Sequence, residues 1–565
     1  MAAAVPQPIL GAMGVGAPAI DSAKLHELLD RDPQVKVHRQ LKMPSKIGLL
    51  SADTVAFPDV TVAEMTSDHA ESLAQQLPQI HLERDHLLTY TDVGQAPNTK
   101  MVLPLGLNST FSFLVTDSEG SPIPGTTIQV TGSLWPAQTV TDKDGRATVT
   151  LTGETPESIV AVEFKPESGY WSLLAARPAL STRRDNLIVL KHLSDTIRDF
   201  PEQQTFGWGQ EAMQLHRLPP TFRGAGAKVA IIDSGVGGQH NDLEGQVTKG
   251  VDLVDRRAQG WRVDTVHHGS HCAGVITGAD NGHGVIGFAV EAEVHACKIF
   301  PGGRMSDLIE AIDYCIHQEI DVINLSLGTP ESSALVAAKL EEARNAGVAA
   351  VVAAGNDGGP VNFPGSLPIV LTVAAIGRAG TYPEDSSHAA QVLEPHTSDG
   401  YFSAQFTCHG PGVDVCAPGV AVLSSIPPDD YAAWDGTSMA APHVTGLAAL
   451  VLAHHDDFQA QFKSRDSRRV ERLFQIIKSS CTPLDLGDPG RSGAGLPDAF
   501  RALAKTVTGV VPNIGDIQAM LDQLTGEMQL AGLLPPVGVP TQPWVPQAAA
   551  PLPQDPRVPG PFGWW

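Results

Sequence analysis

The chain has 565 residues, of which 42% are hydrophobic and 18% charged, with a formal net charge of −24. That length supports several domains with sizeable cores, and the acidic balance excludes a nucleic-acid partner, whose phosphates call for a basic surface. No apolar run approaches the ~18 residues needed to cross a bilayer, so no membrane partner is expected.

Residues 1–29 read as a flexible N-terminus. Met1 to Ile20 holds no Lys or Arg and is broken by Pro6, Pro8, Gly11, Gly14, Gly16 and Pro18. It lacks the basic n-region and unbroken apolar h-region of a signal peptide. Localisation is therefore left open between cytoplasmic residence, non-classical export and an altered start.

Residues 30–95 read as a small α/β module. Val60 to Glu64 is a short strand. Ser67 to Gln76 is a helix with Ser67 as its cap and Ala70, Leu73, Ala74 and Leu77 on one face. Gln79 to Glu83 alternates, with Ile80 and Leu82 on one side.

Residues 100–195 read as a β-sandwich. Phe111–Val115, Thr127–Val130 and Ala147–Leu151 are strand-like, and Asp117–Gly120, Pro122–Gly125 and Asp142–Gly145 are turn-like. Short strands at this spacing suit two packed sheets. A polar connector, Asp195 to Gln204, follows.

Residues 200–505 carry the chemistry. Lys228-Val229-Ala230-Ile231-Ile232-Asp233-Ser234-Gly235 is an apolar run ending in a carboxylate and a turn. A buried strand in an open α/β sheet delivers an acid to its site in this way. His268-Gly269-Ser270-His271-Cys272-Ala273-Gly274 supplies an imidazole among small residues that suit close packing on a sheet. Gly436-Thr437-Ser438-Met439-Ala440-Ala441-Pro442-His443 follows a turn-rich stretch and opens an apolar helix-like run, with Pro442 read as falling in its first turn. A serine there has first-turn N–H groups and the helix dipole beside it, as a nucleophile that generates an oxyanion requires. Each residue has a plainer reading. Ser438 could be an ordinary N-cap, Asp233 a turn former, and Asn356 an αL turn before Asp357-Gly358-Gly359. His268 and His271, three apart, could be metal ligands, but no zinc-type third ligand motif follows. The chain order Asp233, His268, Ser438 is one of the known orders of the Asp-His-Ser triad.

Beyond the catalytic region, residues 506–533 read as a helical extension, with Ile517, Met520, Leu521, Leu524 and Met528 at helical spacing. Residues 534–565 are a Pro-rich tail ending Phe562-Gly563-Trp564-Trp565. Six cysteines in so long a chain do not read as a disulfide framework. A Cys408–Cys416 pair is left open, and mostly free thiols fit a reducing compartment.

These blocks resemble the subtilisin-like serine protease family. So do Ala353-Ala354-Gly355-Asn356, His240-Asn241-Asp242-Leu243, Asn324-Leu325-Ser326-Leu327-Gly328, Asp414-Val415-Cys416-Ala417-Pro418-Gly419 and Gly493-Ala494-Gly495-Leu496. The resemblance spans about Phe206 to Leu503. It implies an α/β fold, with a mostly parallel sheet between helices, and a serine endopeptidase acting on extended polypeptide. Asp233, His268 and Ser438 would be the triad and Asn356 the oxyanion donor. His271 would be a packed helix residue and Cys272 a buried thiol beneath His268. The substrate strand would pair beside Ser326, Leu327 and Gly328, and beside a second edge near Phe300 to Gly303 that includes Gly302. Val361 to Val370, which would shape the primary pocket, holds no acidic residue, and this argues for a broad or apolar preference.

The resemblance implies no metal or organic cofactor for catalysis. Structural calcium accompanies the family, but the stretch Gly380 to Gly410 departs from the common length and no ligand is assigned. Residues 30–95 weakly resemble the family's propeptide, and would make the chain's own N-terminal region an inhibitor; they also fit an unrelated small α/β domain. A cut in Asp195–Gln204 would then release both modules, or the N-terminal region would stay as a permanent regulator. The β-module resembles carboxypeptidase-regulatory-like and other immunoglobulin-like modules, usually spacers or binding domains. Two rival uses stand beside this reading: a noncatalytic scaffold, and a dedicated processing or regulatory protease that acts on one partner inside the cell.

Overall fold

The strand Lys228–Asp233 divides its side chains between two cores. Val229 and Ile231 pack in a cluster with Cys272, Val275, Val444 and Leu447, while Ala230 and Ile232 pack with Leu308, Ile309, Leu335 and Val336. Successive strand residues face opposite ways, so a strand apolar on both faces lies in a sheet covered on both sides. Each Val or Ile buried this way contributes about 1.5–3 kcal/mol.

In this computed structural model the described residues are 2–4, 22–43, 47–48, 54–55, 59–78, 80–90 and 108–508. The central sheet runs Val247–Asp252, Glu293–Lys298, Lys228–Asp233, Val322–Leu325, Ala349–Ala353 and Leu371–Arg378, all parallel. Tyr401–Ala404 and Val392–Leu393 extend it antiparallel, and Val415–Pro418 pairs parallel with Leu371–Arg378. Helices His268–Thr277 and Thr437–His454 pack in one core, and Met305–His317 and Ala334–Asn345 in the other.

The β-module holds two sheets that share one core. Pro136–Val140, Thr127–Thr131, Ala161–Lys165 and Leu173–Ala176 form one sheet; Arg146–Thr152, Asn108–Thr116 and Asn186–Val189 form the other. Strict alternation along Arg146–Thr152 turns Ala147, Val149 and Leu151 inward. Phe113 and Phe164 meet edge to face between the sheets, with ring centroids 5.6 Å apart.

The N-terminal module begins earlier than residue 30. Helix Ser22–Arg31 packs Leu25 and Leu29 against Ile80, with Leu73 of helix Ser67–Gln76 and its C-cap Leu77 alongside. The latter helix is capped by Thr66 rather than Ser67: the Thr66 side chain accepts from the His69 N–H. The antiparallel sheet runs Lys36–Leu41, Val60–Glu64, Ala2–Ala4, His81–Glu83. Its second face is covered by the central α/β region, because Leu41, Met43, Val60 and Val62 share a core with Leu308, Ile309 and Leu335.

The polar connector Asp195 to Gln204 is packed, with Phe200 buried against Tyr431 and Gln204 Nε2 donating to Ala279 O and Val285 O. Cys408 and Cys416 are not joined; all six cysteines are free and buried. Of the helical extension over 506–533, only 506–508 are described, as the end of helix Ala499–Thr508. The rest of it and the Pro-rich tail lie outside the described residues.

Candidate active site

Asp233 is the last residue of its strand, and His268 is the first of its helix. His268 Nδ1 lies 2.8 Å from Asp233 Oδ1 and 2.9 Å from Oδ2. The helix start fits against the turn after Asp233 because Gly269 has no side chain: a Cβ there would stand 2.1 Å from the Gly235 carbonyl oxygen. The Gly269 N–H donates to Ser234 Oγ at 2.8 Å, which fixes the same junction. With Nδ1 committed to the carboxylate, the ring presents Nε2 on its opposite side.

Ser438 is the second residue of helix Thr437–His454, which is buried along its length through Leu452. Pro442 sits inside this helix and not in its first turn. It has no N–H to give the carbonyl four residues earlier, which is that of Ser438. Two other groups satisfy this oxygen: Ser326 Oγ at 2.8 Å and Cys272 Sγ at 3.4 Å. In return Ser438 Oγ donates to Ser326 O at 3.2 Å. Asn324 Nδ2 donates to Ser326 Oγ, and Thr445 Oγ1 to Asn324 Oδ1, at 2.9 and 3.0 Å. Ser326 therefore ties the serine helix to the sheet.

Asn356 follows the strand Ala349–Ala353. Its Oδ1 accepts from the Thr437 N–H at 2.9 Å and from Thr437 Oγ1 at 2.8 Å. This orients the amide, and Asn356 Nδ2 and the Ser438 N lie 3.3 and 3.6 Å from the point where a Cβ on Gly436 would stand. Two donors thus flank one spot at the mouth of the serine helix.

Leu327 and Gly328 form a pairing edge, and the strand on it comes from the N-terminal region: Tyr90 pairs with Leu327 and Thr89 with Gly328. On the other side Leu88 N donates to Gly303 O at 2.8 Å, and Leu87 bridges Arg304. The second edge is thus used at Gly303 and Arg304, while Gly302 takes the positive-φ turn just before it, at φ +86°. Residues 87–90 lie between the two edges as a middle strand.

The residues just before them grip the two helices beside the cleft. Asp85 accepts from the Ser306 N–H at 2.9 Å and from Ser306 Oγ at 2.7 Å. Glu83 Oε1 accepts from the Leu335 N–H at 2.8 Å. Each carboxylate meets first-turn N–H groups and the positive end of a helix dipole. Sequence reasoning missed Leu87–Tyr90, because backbone pairing leaves no signature in side-chain pattern, and missed Glu83 and Asp85, because the helix starts that their carboxylates meet lie far along the chain.

The second histidine of the block is a structural group. His271 Nε2 donates to Val422 O and Ala432 O, at 3.0 and 3.2 Å, and its ring stacks on Trp434. Burial first, then the neighbouring His268, pushes its pKa down to about 3. Burial, followed by the charge of Asp233, raises the Cys272 thiol well above its ordinary range, so it stays protonated. Among the described residues, Asp233, His268 and Cys272 are the one group of His, Cys and carboxylate atoms close enough to share an ion. Calcium takes oxygen ligands throughout, so this group does not fit it.

The comparisons with known proteins agree with the geometry. Residues 224–482 match the model of the subtilase family. Subtilisin E of Bacillus subtilis (strain 168) is 30% identical over 316 residues, covering 54% of this chain and 76% of that protein. The subtilisin of Bacillus pumilus is 34% identical over 253 residues, 43% of this chain and 83% of that one. The intracellular serine protease of Paenibacillus polymyxa is 33% identical over 296 residues, 51% and 83% of the two chains. The chain belongs to the subtilase family as a serine-type endopeptidase of the subtilisin kind.

Proposed function

We propose that Ser438 is the nucleophile, His268 the general base and acid, Asp233 its orienting carboxylate and Asn356 an oxyanion donor. The observation that carries this is the Nδ1–carboxylate pair at 2.8 Å. It fixes the imidazole tautomer whose Nε2 can accept the serine proton. As Ser438 Oγ attacks a peptide carbonyl, His268 takes its proton, and Asp233 stabilises the imidazolium. The developing oxyanion meets Asn356 Nδ2 and the Ser438 N–H. Collapse expels the amine with the proton from His268, and water repeats the cycle on the acyl-enzyme. The substrate is extended polypeptide held as a middle strand between Gly303–Arg304 and Leu327–Gly328. The absence of acidic residues over Val361 to Val370 supports a broad or apolar preference. A fluorophosphonate probe should form its adduct on Ser438, mapped by peptide mass spectrometry; an adduct on another residue overturns the assignment.

A second reading concerns control. The N-terminal region acts as the chain's own inhibitor, since Leu87 to Tyr90 occupies the pairing positions that a substrate needs. From Leu87 to Tyr90 the chain runs towards Ser326 and Ser438, and the β-module starts at Asn108. Self-cleavage would therefore fall after Tyr90 and before Asn108, not in the packed stretch 195–204. N-terminal sequencing of wild type beside Ser438→Ala tests this: a new N-terminus within 91–108 in wild type alone supports it, and a fully active chain retaining residues 1–90 defeats it.

A further inference from the structure

The chain departs from the expected pattern of its family at two places, the β-module and the stretch Gly380 to Gly410, and these two departures touch. Leu174 N donates to Asp385 O at 2.9 Å, and Lys191 Nζ meets Asp385 Oδ1 at 2.7 Å. Ser172 Oγ lies 3.1 Å from Ser386 Oγ and 2.7 Å from Ser387 Oγ. Trp171, only 4% exposed, belongs to the peptidase core and meets the His388 ring edge to face, with centroids 5.9 Å apart. Its indole N–H donates to Thr196 Oγ1 at 2.7 Å. A spacer would not bury a tryptophan in its neighbour's core.

The contact continues towards the site. His388 is buried and its Nδ1 lies 2.7 Å from Asp435 Oδ1. The same carboxylate oxygen accepts from the Ala421 N–H at 2.7 Å. Asp435 directly precedes Gly436-Thr437-Ser438, and the Gly436 N–H donates to Gly419 O at 2.8 Å. The turn that delivers Ser438 is thus pinned at Asp435 by two donors, and one of them stands against the β-module.

We propose that the β-module is a permanent working part of the peptidase, and that His388 and Asp435 are positioning residues through which Trp171 and Ser172 hold the turn carrying Ser438. The inference rests on Ser438 as the nucleophile. Should that reading fail, Ser438→Ala would keep its activity, a result that the variants below do not influence.

The test uses the whole chain, with activity expressed per active site titrated with a fluorophosphonate. His388→Leu removes the donor to Asp435; His388→Asn places an amide N–H close to where Nδ1 stood. His388→Leu should lower kcat roughly ten- to a hundredfold, the scale of a small misplacement of a reacting group. KM should not change, because Gly303–Arg304 and Leu327–Gly328 are untouched. His388→Asn should recover most of the loss. Ser172→Ala should lower kcat about two- to tenfold, the worth of one hydrogen bond, and should add nothing to His388→Leu in the double variant. The proposal is overturned if kcat per titrated site stays at the wild-type value in His388→Leu, if Asn rescues no better than Leu, or if the Ser172 effect is fully additive.

Discussion

The thiol of Cys272 lies 3.4 Å from the carbonyl oxygen of Ser438. That oxygen lacks its helical partner because Pro442 has no N–H, so the thiol and Ser326 Oγ share the duty. Cys272→Ala leaves Ser326 as the remaining partner and opens space beside the triad. It should cost about 1–3 kcal/mol of stability and retain most peptidase activity. The native thiol should also resist alkylation at pH 8, because burial and Asp233 hold it protonated. Differential alkylation with mass spectrometry, beside a melting curve, checks both. Complete inactivation of a folded Cys272→Ala chain would give the thiol a role in the chemistry.

Ser438→Ala should fold as wild type and lose turnover and fluorophosphonate labelling together. In subtilisin itself removal of this serine lowers kcat by about a million-fold, and the same scale is expected here. Peptide hydrolysis by the purified variant at more than trace rates would mean another nucleophile.

Asn356→Ala should lower kcat by roughly a hundred- to a thousand-fold with KM little changed, which is the size of the corresponding effect in subtilisin. The amide is oriented by two bonds from Thr437 to its Oδ1, so Thr437→Val should show part of the same kcat loss. A loss confined to KM would place Asn356 in ground-state binding.

Acid should destabilise the fold through two buried imidazoles. Burial holds His271 down to about 3 and His443 down to about 4. A histidine whose folded pKa is lowered takes up its proton on unfolding once the pH falls below the unfolded value near 6.5. Stability is therefore lost as pH falls from about 6.5, with each group contributing about 1.4 kcal/mol per pH unit until its folded pKa is reached. Between pH 6 and pH 5 the pair alone should remove about 2 kcal/mol. Denaturation midpoints of the Ser438→Ala chain at the two pH values measure this, and a flat profile would refute neutral burial of both rings.

Much of this is legible in the sequence. The unbroken apolar run ending in Asp233, the small residues around His268 and the turn before Ser438 each follow from what a strand end, a close helix–sheet contact and a helix mouth require. The strands of the β-module were legible because a half-exposed sheet writes its period of two into the sequence, as Ala147, Val149 and Leu151 do. What stayed hidden works through the backbone or across long separations. Leu87 to Tyr90 enters the cleft by main-chain pairing, which does not depend on side-chain pattern. Trp171 and His388 meet across more than two hundred positions, and nothing local at either marks the other. Pro442 looked like a first-turn proline because helix ends are set by capping geometry, and the helix begins far enough upstream to put it inside.

The six buried thiols bear on where such an enzyme can work. None is joined to another, and burial pushes Cys408 and Cys481 up to about 12 and Cys416 higher still. Thiolate is the form that oxidants and disulfides attack, and these groups hold almost none of it at neutral pH. No covalent cross-link among them has to form for the fold to be complete, and none can be reduced to undo it. None of the stability here comes from disulfides, so glutathione, in either oxidation state, should leave the melting temperature and the turnover number where they are.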